Sequence, residues 1–350
     1  MSAFDVKYKE NRPHFLCYNT FSMPNSLTHY LFAKANVLDS KEHLDATYVG
    51  AQGPDPFFFY GTLCPLFRPH HHDVNAFGGV TQHRDLVLPY EAMMRYAYKS
   101  PDKELLFAYI DGLFMHYVVD CACHPFIFYR TGYTDRPEDS VAIHRHYNFS
   151  HMSLEVIIDF ILSHRENQFQ RIDKVLKLSN QDLRKISRMW YEMNVEVQHL
   201  PHVHPKSYYY ALKDFRFTEK HGWDKTGKKK ALAKVIFGKE SLGYGMIFPQ
   251  NLDAFKGIDF LNESHAPWRM PTGEVRTESF EDLLEIAKRR YHELHAVLLQ
   301  AKAGEDVRSA LNAIVGGLNH EGIIPDSPKL YWKLIWPKEY LVDYPGCSSL

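Results

Sequence analysis

The sequence lacks an excess of either charge. Its 41 Lys and Arg residues are offset by 42 Asp and Glu residues, so the formal net charge of the 350-residue chain is −1 at pH 7. A nearly neutral protein has no global electrostatic attraction to nucleic acids or to anionic membranes. We therefore expect no stable nucleic-acid partner, because any contact of this kind would have to be local.

Cysteine is also scarce. The chain has five cysteines, an odd number, and their spacing does not resemble a disulfide framework. Cys121 and Cys123 lie in an apolar stretch and are too close in sequence to form a disulfide easily. Free buried thiols in a reducing compartment are the simpler interpretation, which favours a cytoplasmic protein.

The sequence shows neither a secretory leader nor a typical membrane span. Its first residues, MSAFDVKYKENRPHF, contain no apolar segment of the kind found in signal peptides. The most apolar stretch, residues 105–130, is interrupted by Asp111, His116 and Asp120. Ionisable side chains at these positions favour a buried helix of a soluble protein over a membrane-spanning helix.

Alternating β-strand patterns, internal repeats and low-complexity segments are absent as well, so the sequence predicts an all-α fold. Apolar residues recur at helical spacing in several segments. Helices are predicted at about residues 28–38, 83–100, 105–130, 143–165, 178–198 and 279–304. Loop-like or irregular structure is predicted for residues 61–82, 134–140, 199–275 and the tail after Pro325.

Histidine is the abundant residue, with 21 copies. It is the commonest neutral metal ligand in proteins, so this enrichment favours a metal-binding protein. His116, Asp120 and His124 follow one another at four-residue steps in the apolar stretch. Since four residues advance a helix by about 400°, the three side chains form one stripe. Such polar groups cost several kcal/mol in an apolar core unless they are hydrogen-bonded or metal-bound, and both alternatives stay open for an isolated pair.

A second helix offers a similar pair. His151 and Glu155 are four residues apart within residues 143–165, so they share one face. Helical bundles build metal sites from facing helices that each present closely spaced ligands to the interior. The nitrogen and oxygen donors suit zinc, with no thiolate required.

Pro125 is predicted to interrupt the first of these helices. A residue before proline is disfavoured in the α conformation, so we expect a helix break near His124. The break would turn His124 away from His116 and towards Glu155.

Two further groups of histidines have simpler interpretations. The segment HHHD at residues 70–73 could suggest an HD-type phosphohydrolase, whose His-Asp pair binds metal. That class also needs separated helical His and Asp positions around the pair, and here the pair lies in a stretch rich in proline and glycine. His202 and His204, in HLPHVHP, would share one side of an extended segment and could form an extra metal site. Solvated loop histidines are the favoured interpretation.

Taken in order, the motifs of this chain resemble those of the bacterial zinc-dependent phospholipase C family, which is related to the fungal single-strand-specific zinc nucleases. The resemblance depends on THYLFA around His29, GAQGPDPFFFY around Asp55, HYVVDCACHPF at residues 116–126 and HMSLE at residues 151–155. The later text LNESHAPW…SFEDL, within residues 261–283, is also similar to members of the intracellular type.

The resemblance implies one domain over residues 1–350, a multi-helix bundle like phospholipase C and the nucleases, with a metal cluster in a cleft and long irregular connections. The metal-site core would cover about residues 24–165. An irregular excursion would follow at about residues 199–275, and a closing helix at about residues 279–304.

The resemblance also implies a set of zinc ligands. The first zinc would be bound by Asp55, His116, Asp120 and one further histidine. We take that histidine to be His83, because QHRD leads into a helix as the ligand does in similar sequences. His72 is the next choice, and His70 or His71 follows.

A second zinc would be bound by His124, His151 and Glu155, and a third would share Asp120 and use His29. In secreted members a processed amino terminus also binds the third metal, whereas this chain begins Met-Ser-Ala. We therefore expect two zinc ions, and the third is left open.

The implied activity is hydrolysis of a phosphoester. Zinc lowers the pKa of a bound water from 15.7 to about 7, which supplies a nucleophile at neutral pH. Asp55 would orient or deprotonate the attacking water, and the substrate would be a small phosphoester or a phospholipid head group. A nuclease or nucleotide phosphatase on the same scaffold and a non-catalytic, metal-stabilised binding protein are the alternatives, because a scaffold does not define a function. The oligomeric state is not indicated by the sequence.

Overall fold

A computed structural model describes residues 26–38, 42–62, 65–132, 141–165, 170–224, 226–238, 244, 247 and 257–325. Their regular structure is almost entirely helical, which confirms the all-α prediction. The helices are α1 (Ser26–Asn36), α2 (Leu44–Gly50), α3 (His71–His83), α4 (Val87–Lys99), α5 (Lys103–Thr131), α6 (Val141–Arg165), α7 (Ile172–Val175), α8 (Asn180–Met193), α9 (Ser207–Gly222), α10 (Lys228–Phe237), α11 (Phe280–Ala303) and α12 (Arg308–Val315). Short 3₁₀ turns cover Asp55–Phe59 and Pro65–Phe67, and a π-helical turn covers Asn194–Gln198. A small antiparallel hairpin pairs β1 (Trp268–Arg269) with β2 (Val275–Arg276).

The prediction of irregular structure was wrong in two stretches. Helix α3 occupies most of residues 61–82, and α9 and α10 lie within residues 199–275. Gly78 lowers the helix propensity of α3, but a Cβ atom there would lie only 3.0 Å from Cβ of Phe57. The missing side chain therefore allows α3 to pack closely, and tertiary contacts outweigh propensity. The predicted loop at residues 134–140 and the tail after Pro325 lie outside the described residues.

Helix α5 lies at the centre of the core and is buried on nearly all sides. Helices α2 and α11 pack against it more extensively than the other elements do. Glycines permit the close crossing with α2, because a Cβ atom on Gly112 would lie 2.0 Å from the Thr47 carbonyl oxygen. A Cβ atom on Gly50 would lie 2.1 Å from the Tyr109 carbonyl oxygen. This crossing fixes the end of α2, from which the chain enters the turn that carries Asp55.

By length and composition alone, α5 is also apolar enough to cross a membrane. Its most apolar segment is almost completely covered by the rest of the protein, as in the core helix of a soluble protein. No other helix among the described residues meets the same criteria.

A buried polar group joins α5 to α11. Asp111 accepts a hydrogen bond from the Tyr291 hydroxyl group at 3.0 Å and another from Nδ1 of His295 at 2.8 Å. Helix α11 begins with the predicted capping box, in which Ser279 and Asp282 satisfy each other's backbone N–H groups. The helix predicted at about residues 279–304 is therefore confirmed, and it is anchored both at its capped start and by its contacts with Asp111 in the core.

The predicted helix break at Pro125 is wrong. Helix α5 continues through Pro125 to Thr131. Proline removes the hydrogen bond to the carbonyl group four residues earlier, that of Cys121. Gly322 covers this carbonyl group so closely that a Cβ atom on Gly322 would lie 2.2 Å from the oxygen. The helix thus continues past Pro125, and His124 stays on the same stripe as His116.

Buried carboxyl groups lie at the start of α1. The Asp159 carboxylate accepts hydrogen bonds from the Leu27 and Thr28 backbone N–H groups at 3.0 and 2.8 Å, where a helix leaves such donors free. Burial nevertheless raises the pKa of Asp159 to about 7. Burial, together with the charge of Asp159, raises the pKa of Glu219 to about 8, although the Ser26 side chain hydrogen-bonds to it.

We expect Glu219 to make the protein less stable as the pH rises. Between its ordinary pKa of 4.5 and the folded value of about 8, the folded chain holds a proton that the unfolded chain has released. The free energy of unfolding therefore falls across this window. Glu219→Gln should reduce the loss between pH 5 and pH 8 by about 1 kcal/mol or more, as measured by urea unfolding. The exposed substitution Glu285→Gln should keep the wild-type slope, and an unchanged slope in Glu219→Gln would contradict the prediction.

Candidate metal centre

Seven of the eight predicted ligands come together in the core. They are contributed by α1, by the 3₁₀ turn after α2, by α5 and by α6. The seven residues are His29, Asp55, His116, Asp120, His124, His151 and Glu155, and all are buried. Three groups of side chains among the described residues of this cluster could each hold a metal ion, since their ligand atoms lie within 4.8 Å of one another. These groups are His29, Asp55 and His116; His116, Asp120 and His320; and His124, His151 and Glu155.

Asp120 lies between three imidazole rings. Its Oδ1 atom lies 3.1 Å from Nε2 of His29. Its Oδ2 atom lies 2.9 Å from Nε2 of His116 and 2.9 Å from Nδ1 of His320. Both carboxylate oxygens therefore face ring nitrogens, and Asp120 is the centre of the cluster.

A second group is formed where α5 faces α6. Oε1 of Glu155 lies 2.9 Å from Nε2 of His151 and 3.7 Å from Nε2 of His124. The i, i+4 spacing brings His151 and Glu155 together, as the sequence predicted. This group has the same members as the second ligand set implied by the family resemblance.

Asp55 reaches the cluster from the turn that follows α2. Its Oδ1 atom accepts a hydrogen bond from Nε2 of Gln82 at 2.6 Å, and its Oδ2 atom lies 3.6 Å from Nε2 of His116. Gly53, with φ of +52°, lets the turn approach the ring, because a Cβ atom there would lie 2.1 Å from Cδ2 of His116. The glycine and Asp55 of GAQGPDP thus act together to place one carboxylate beside α5.

Backbone carbonyl groups orient two of the imidazoles. Nδ1 of His116 donates to the Ala51 carbonyl oxygen at 3.2 Å, and Nδ1 of His124 donates to the His320 carbonyl oxygen at 2.8 Å. A carbonyl oxygen only accepts, so in a neutral ring the other nitrogen, Nε2, carries a lone pair. Both Nε2 atoms face carboxylates of the cluster, which is how metal-binding histidines are usually oriented.

Several donor atoms in the cluster lack hydrogen-bond partners of acceptable geometry. They are Nδ1 of His29, Oδ2 of Asp55, Nε2 of His116, Nε2 of His151 and Oε2 of Glu155. Buried polar groups are normally satisfied, because an unpaired one costs about 1–3 kcal/mol. Five such atoms in one cluster have the pattern expected of ligands that converge on cations. The donor set therefore fits one or more metal ions.

The ionisation of two of the three carboxylates is consistent with this fit, whereas burial and the charges of Asp120 and Glu155 raise the pKa of Asp55 well above its ordinary value. Burial would raise the pKa of Asp120, but His116 and His124 hold it well below its ordinary value. Glu155 behaves in the same way, since His151 and His124 lower its pKa against the effect of burial. Both carboxylates are thus ionised at neutral pH, as metal binding requires.

The pKa values of the imidazoles are shifted in different directions. Burial lowers the pKa of His29, His116 and His320, which favours the neutral ring that binds metals. His124 is the exception: burial would lower its pKa, but the charges of Asp120 and Glu155 raise it to about 10. A cation that binds at His124 has to displace this proton.

The structure does not bring His83 to the cluster. Nδ1 of His83 lies 3.2 Å from Oε1 of Glu321, and its side chain is 43% exposed. None of the possible metal-binding groups among the described residues includes it. His72, the next choice, is exposed near the start of α3. The histidine that contacts Asp120 in addition to the predicted ones is His320.

His320 could not be found by sequence reasoning. It lies in the turn after α12, 200 residues from Asp120, and no helical spacing links the two. Its N–H group donates to the Gln82 carbonyl oxygen at 3.1 Å, so the turn is attached to the end of α3. The Tyr90 hydroxyl group lies 3.3 Å from its Nε2 atom. The only local signal is the succession His320-Glu321-Gly322, which is too short to be specific.

Comparisons with known proteins supply no relative for this chain. A scan against protein-family models finds no match, and searches of curated proteins and of solved structures find none either.

We expect His320 to be a metal ligand. His320→Ala should weaken zinc binding by roughly tenfold or more, because Asp120 loses an imidazole and the site loses a donor. Calorimetric titration of zinc into metal-stripped protein measures this change. The exposed substitution His292→Ala should bind zinc like the wild type. Unchanged zinc affinity in a well-folded His320→Ala protein would exclude a ligand role.

We also expect Gly322 to be more sensitive to substitution than another glycine with positive φ. Gly317→Ala, at φ of +75° with no atom within 4 Å of the new Cβ, should cost about 1 kcal/mol through backbone strain alone. Gly322→Ala adds a clash with the Cys121 carbonyl group, so about 3 kcal/mol is expected. Urea unfolding of both variants tests this difference, and equal costs would show that the close contact is unimportant.

Proposed function

We propose that this protein is a zinc-dependent phosphoester hydrolase that resembles phospholipase C. One observation carries the proposal: a buried cluster of five imidazoles and three carboxylates has more donor atoms than its internal hydrogen bonds use. Seven of its eight members belong to motifs that occur in the order of the zinc-dependent phospholipase C family.

Zinc is the metal that we propose for this donor set. The donors are nitrogen and oxygen atoms, and no thiolate belongs to the possible metal-binding groups of the described residues. Two zinc ions would bring four positive charges to the three carboxylates Asp55, Asp120 and Glu155, which leaves one positive charge for an anionic group of the reaction. His320 adds a donor beside Asp120, where the resemblance alone left the third zinc open.

Bound zinc would supply Lewis acidity, lowering the pKa of water and neutralising charge on phosphoryl oxygens. The chain would supply positioning and a proton acceptor. Gln82 holds Oδ1 of Asp55 at 2.6 Å, which leaves Oδ2 directed at the cluster without a hydrogen-bond partner. That oxygen is placed to accept a proton from the attacking water or to orient it.

Substrate would approach from the side of His124 and His151. Their side chains are 8% and 9% exposed, whereas those of His116 and Asp55 are 0% and 2% exposed. The Phe128 ring stacks on His124 with centroids 5.5 Å apart and provides an apolar wall next to the cluster. A small phosphoester or a phospholipid head group is the substrate class we propose, in a cytoplasmic protein.

A phosphodiesterase assay with metal removal and restoration tests this proposal. Hydrolysis of bis(p-nitrophenyl) phosphate should be lost on chelation and recovered with zinc. Asp120→Ala should lower bound zinc and reduce hydrolysis by about a hundredfold or more, because Asp120 contacts three imidazoles. The exposed substitution Glu285→Gln should leave both unchanged.

The remaining outcomes separate the alternatives. Preference for short-chain phosphatidylcholine over single-stranded DNA and nucleotides would support the phospholipase-like function, and the reverse order would support the nuclease or nucleotide phosphatase. A zinc-loaded, folded protein without activity on the panel would be a metal-stabilised binding protein. Less than about one zinc per chain in the purified protein would refute the proposal.

A further inference from the structure

A second group of possible metal ligands lies on the surface. It consists of His70 and Asp73, at the start of α3, and His202, in the loop before α9. Their side chains are 48%, 42% and 44% exposed. The two chain segments are more than 120 residues apart, so the group exists only in the folded protein.

The distances within this group match metal ligands better than hydrogen bonds. Nδ1 of His70 lies 3.7 Å from Oδ2 of Asp73, and Nε2 of His202 lies 3.9 Å from the same oxygen. Both distances are too long for a hydrogen bond. Ligand atoms on a tetrahedral zinc ion are separated by about 3.3–3.6 Å, given metal–ligand bonds of about 2.0–2.2 Å. Rotations of the exposed side chains would reach that separation.

The backbone adopts uncommon conformations to bring the two rings together. His70 and His202 have φ angles of +57° and +62°, a region that non-glycine residues seldom occupy. Their imidazole rings stack with centroids 3.7 Å apart and an interplanar angle of 1°. Because a metal ion lies in the plane of each imidazole that binds it, both rings have to turn out of this stack to bind one ion. Such backbone conformations cost about 1–3 kcal/mol each and are concentrated at binding sites.

Helix α3 separates this group from the buried centre. Its first turn carries Asp73, whereas Gln82, near its other end, bonds to Asp55. Nine residues at about 1.5 Å each place the two ends about 14 Å apart along the helix. The surface group therefore shares no ligand with the buried cluster and is open to solvent.

We propose that His70, Asp73 and His202 form a surface site for a divalent transition-metal ion such as zinc, completed by water. Two imidazoles and one carboxylate are a donor set that zinc accepts, and the remaining position would be solvent. Because its ligands are exposed, this site binds more weakly than the buried centre and exchanges its metal readily.

Zinc titration of the intact chain tests the proposal without reference to activity. Calorimetry on protein already loaded at the buried centre should show one additional, weaker zinc equivalent. The substitution His202→Ala, and separately His70→Ala, should abolish this equivalent and leave the tightly bound zinc unchanged. His204→Ala, a neighbouring histidine outside the group, is the matched control and should retain it.

Cobalt provides an independent readout. Co²⁺ added to the zinc-loaded wild-type protein should give visible absorption bands of a nitrogen- and oxygen-coordinated ion, and these bands should be missing in His202→Ala. Retention of the weak equivalent and of the bands in both His70→Ala and His202→Ala would overturn the proposal. Failure of the phosphodiesterase assay would not affect it, since the readout is metal binding alone.

Discussion

The structure depends on the need to compensate negative charge in its core. Asp55, Asp120 and Glu155 are buried together among imidazoles, and ionised carboxylates are costly in an apolar interior unless positive charge compensates them. Protonation of His124 supplies part of that charge, and metal cations can supply the rest. The unused donor atoms show that hydrogen bonds within the protein do not satisfy the cluster by themselves. The surrounding packing holds these ligands in place.

Two structural features hold them. The first is α5, which is covered by apolar neighbours and presents its ligands from a rigid element, so that their separation is set by helix geometry. The second is a set of close backbone approaches that glycine allows. Gly53 brings the Asp55 turn against His116, and Gly322 brings the His320 turn against α5 at Pro125. The backbone carbonyl oxygen of Ala51, just before Gly53, orients the imidazole of His116. The carbonyl oxygen of His320, just before Gly322, orients that of His124. One set of contacts thus serves both packing and ligand orientation.

Much of this arrangement could be predicted where the information is local. Helices α5, α6 and α11 follow from apolar spacing and from the capping box, and the pairs His116–Asp120 and His151–Glu155 follow from i, i+4 geometry. Helix α3 could not be predicted, because its glycines lower its helix propensity and the close packing of Gly78 against Phe57 is a tertiary contact. The continuation of α5 through Pro125 was missed for the same reason. In each case a tertiary contact outweighed the local preference.

The amino-acid sequence by itself determined the all-α class, the stripe of polar side chains on α5 and the i, i+4 pairs of histidine with a carboxylate. These properties depend only on residues within one or two helical turns of each other. Only the tertiary structure decided which distant groups complete the cluster. His320 reaches Asp120 across 200 residues, and His83 pairs with Glu321 instead of joining the centre. No sequence periodicity predicts such contacts, because they form between segments that are far apart in the sequence and come together only when the turns pack against the helical core. The surface group of His70, Asp73 and His202 has the same origin.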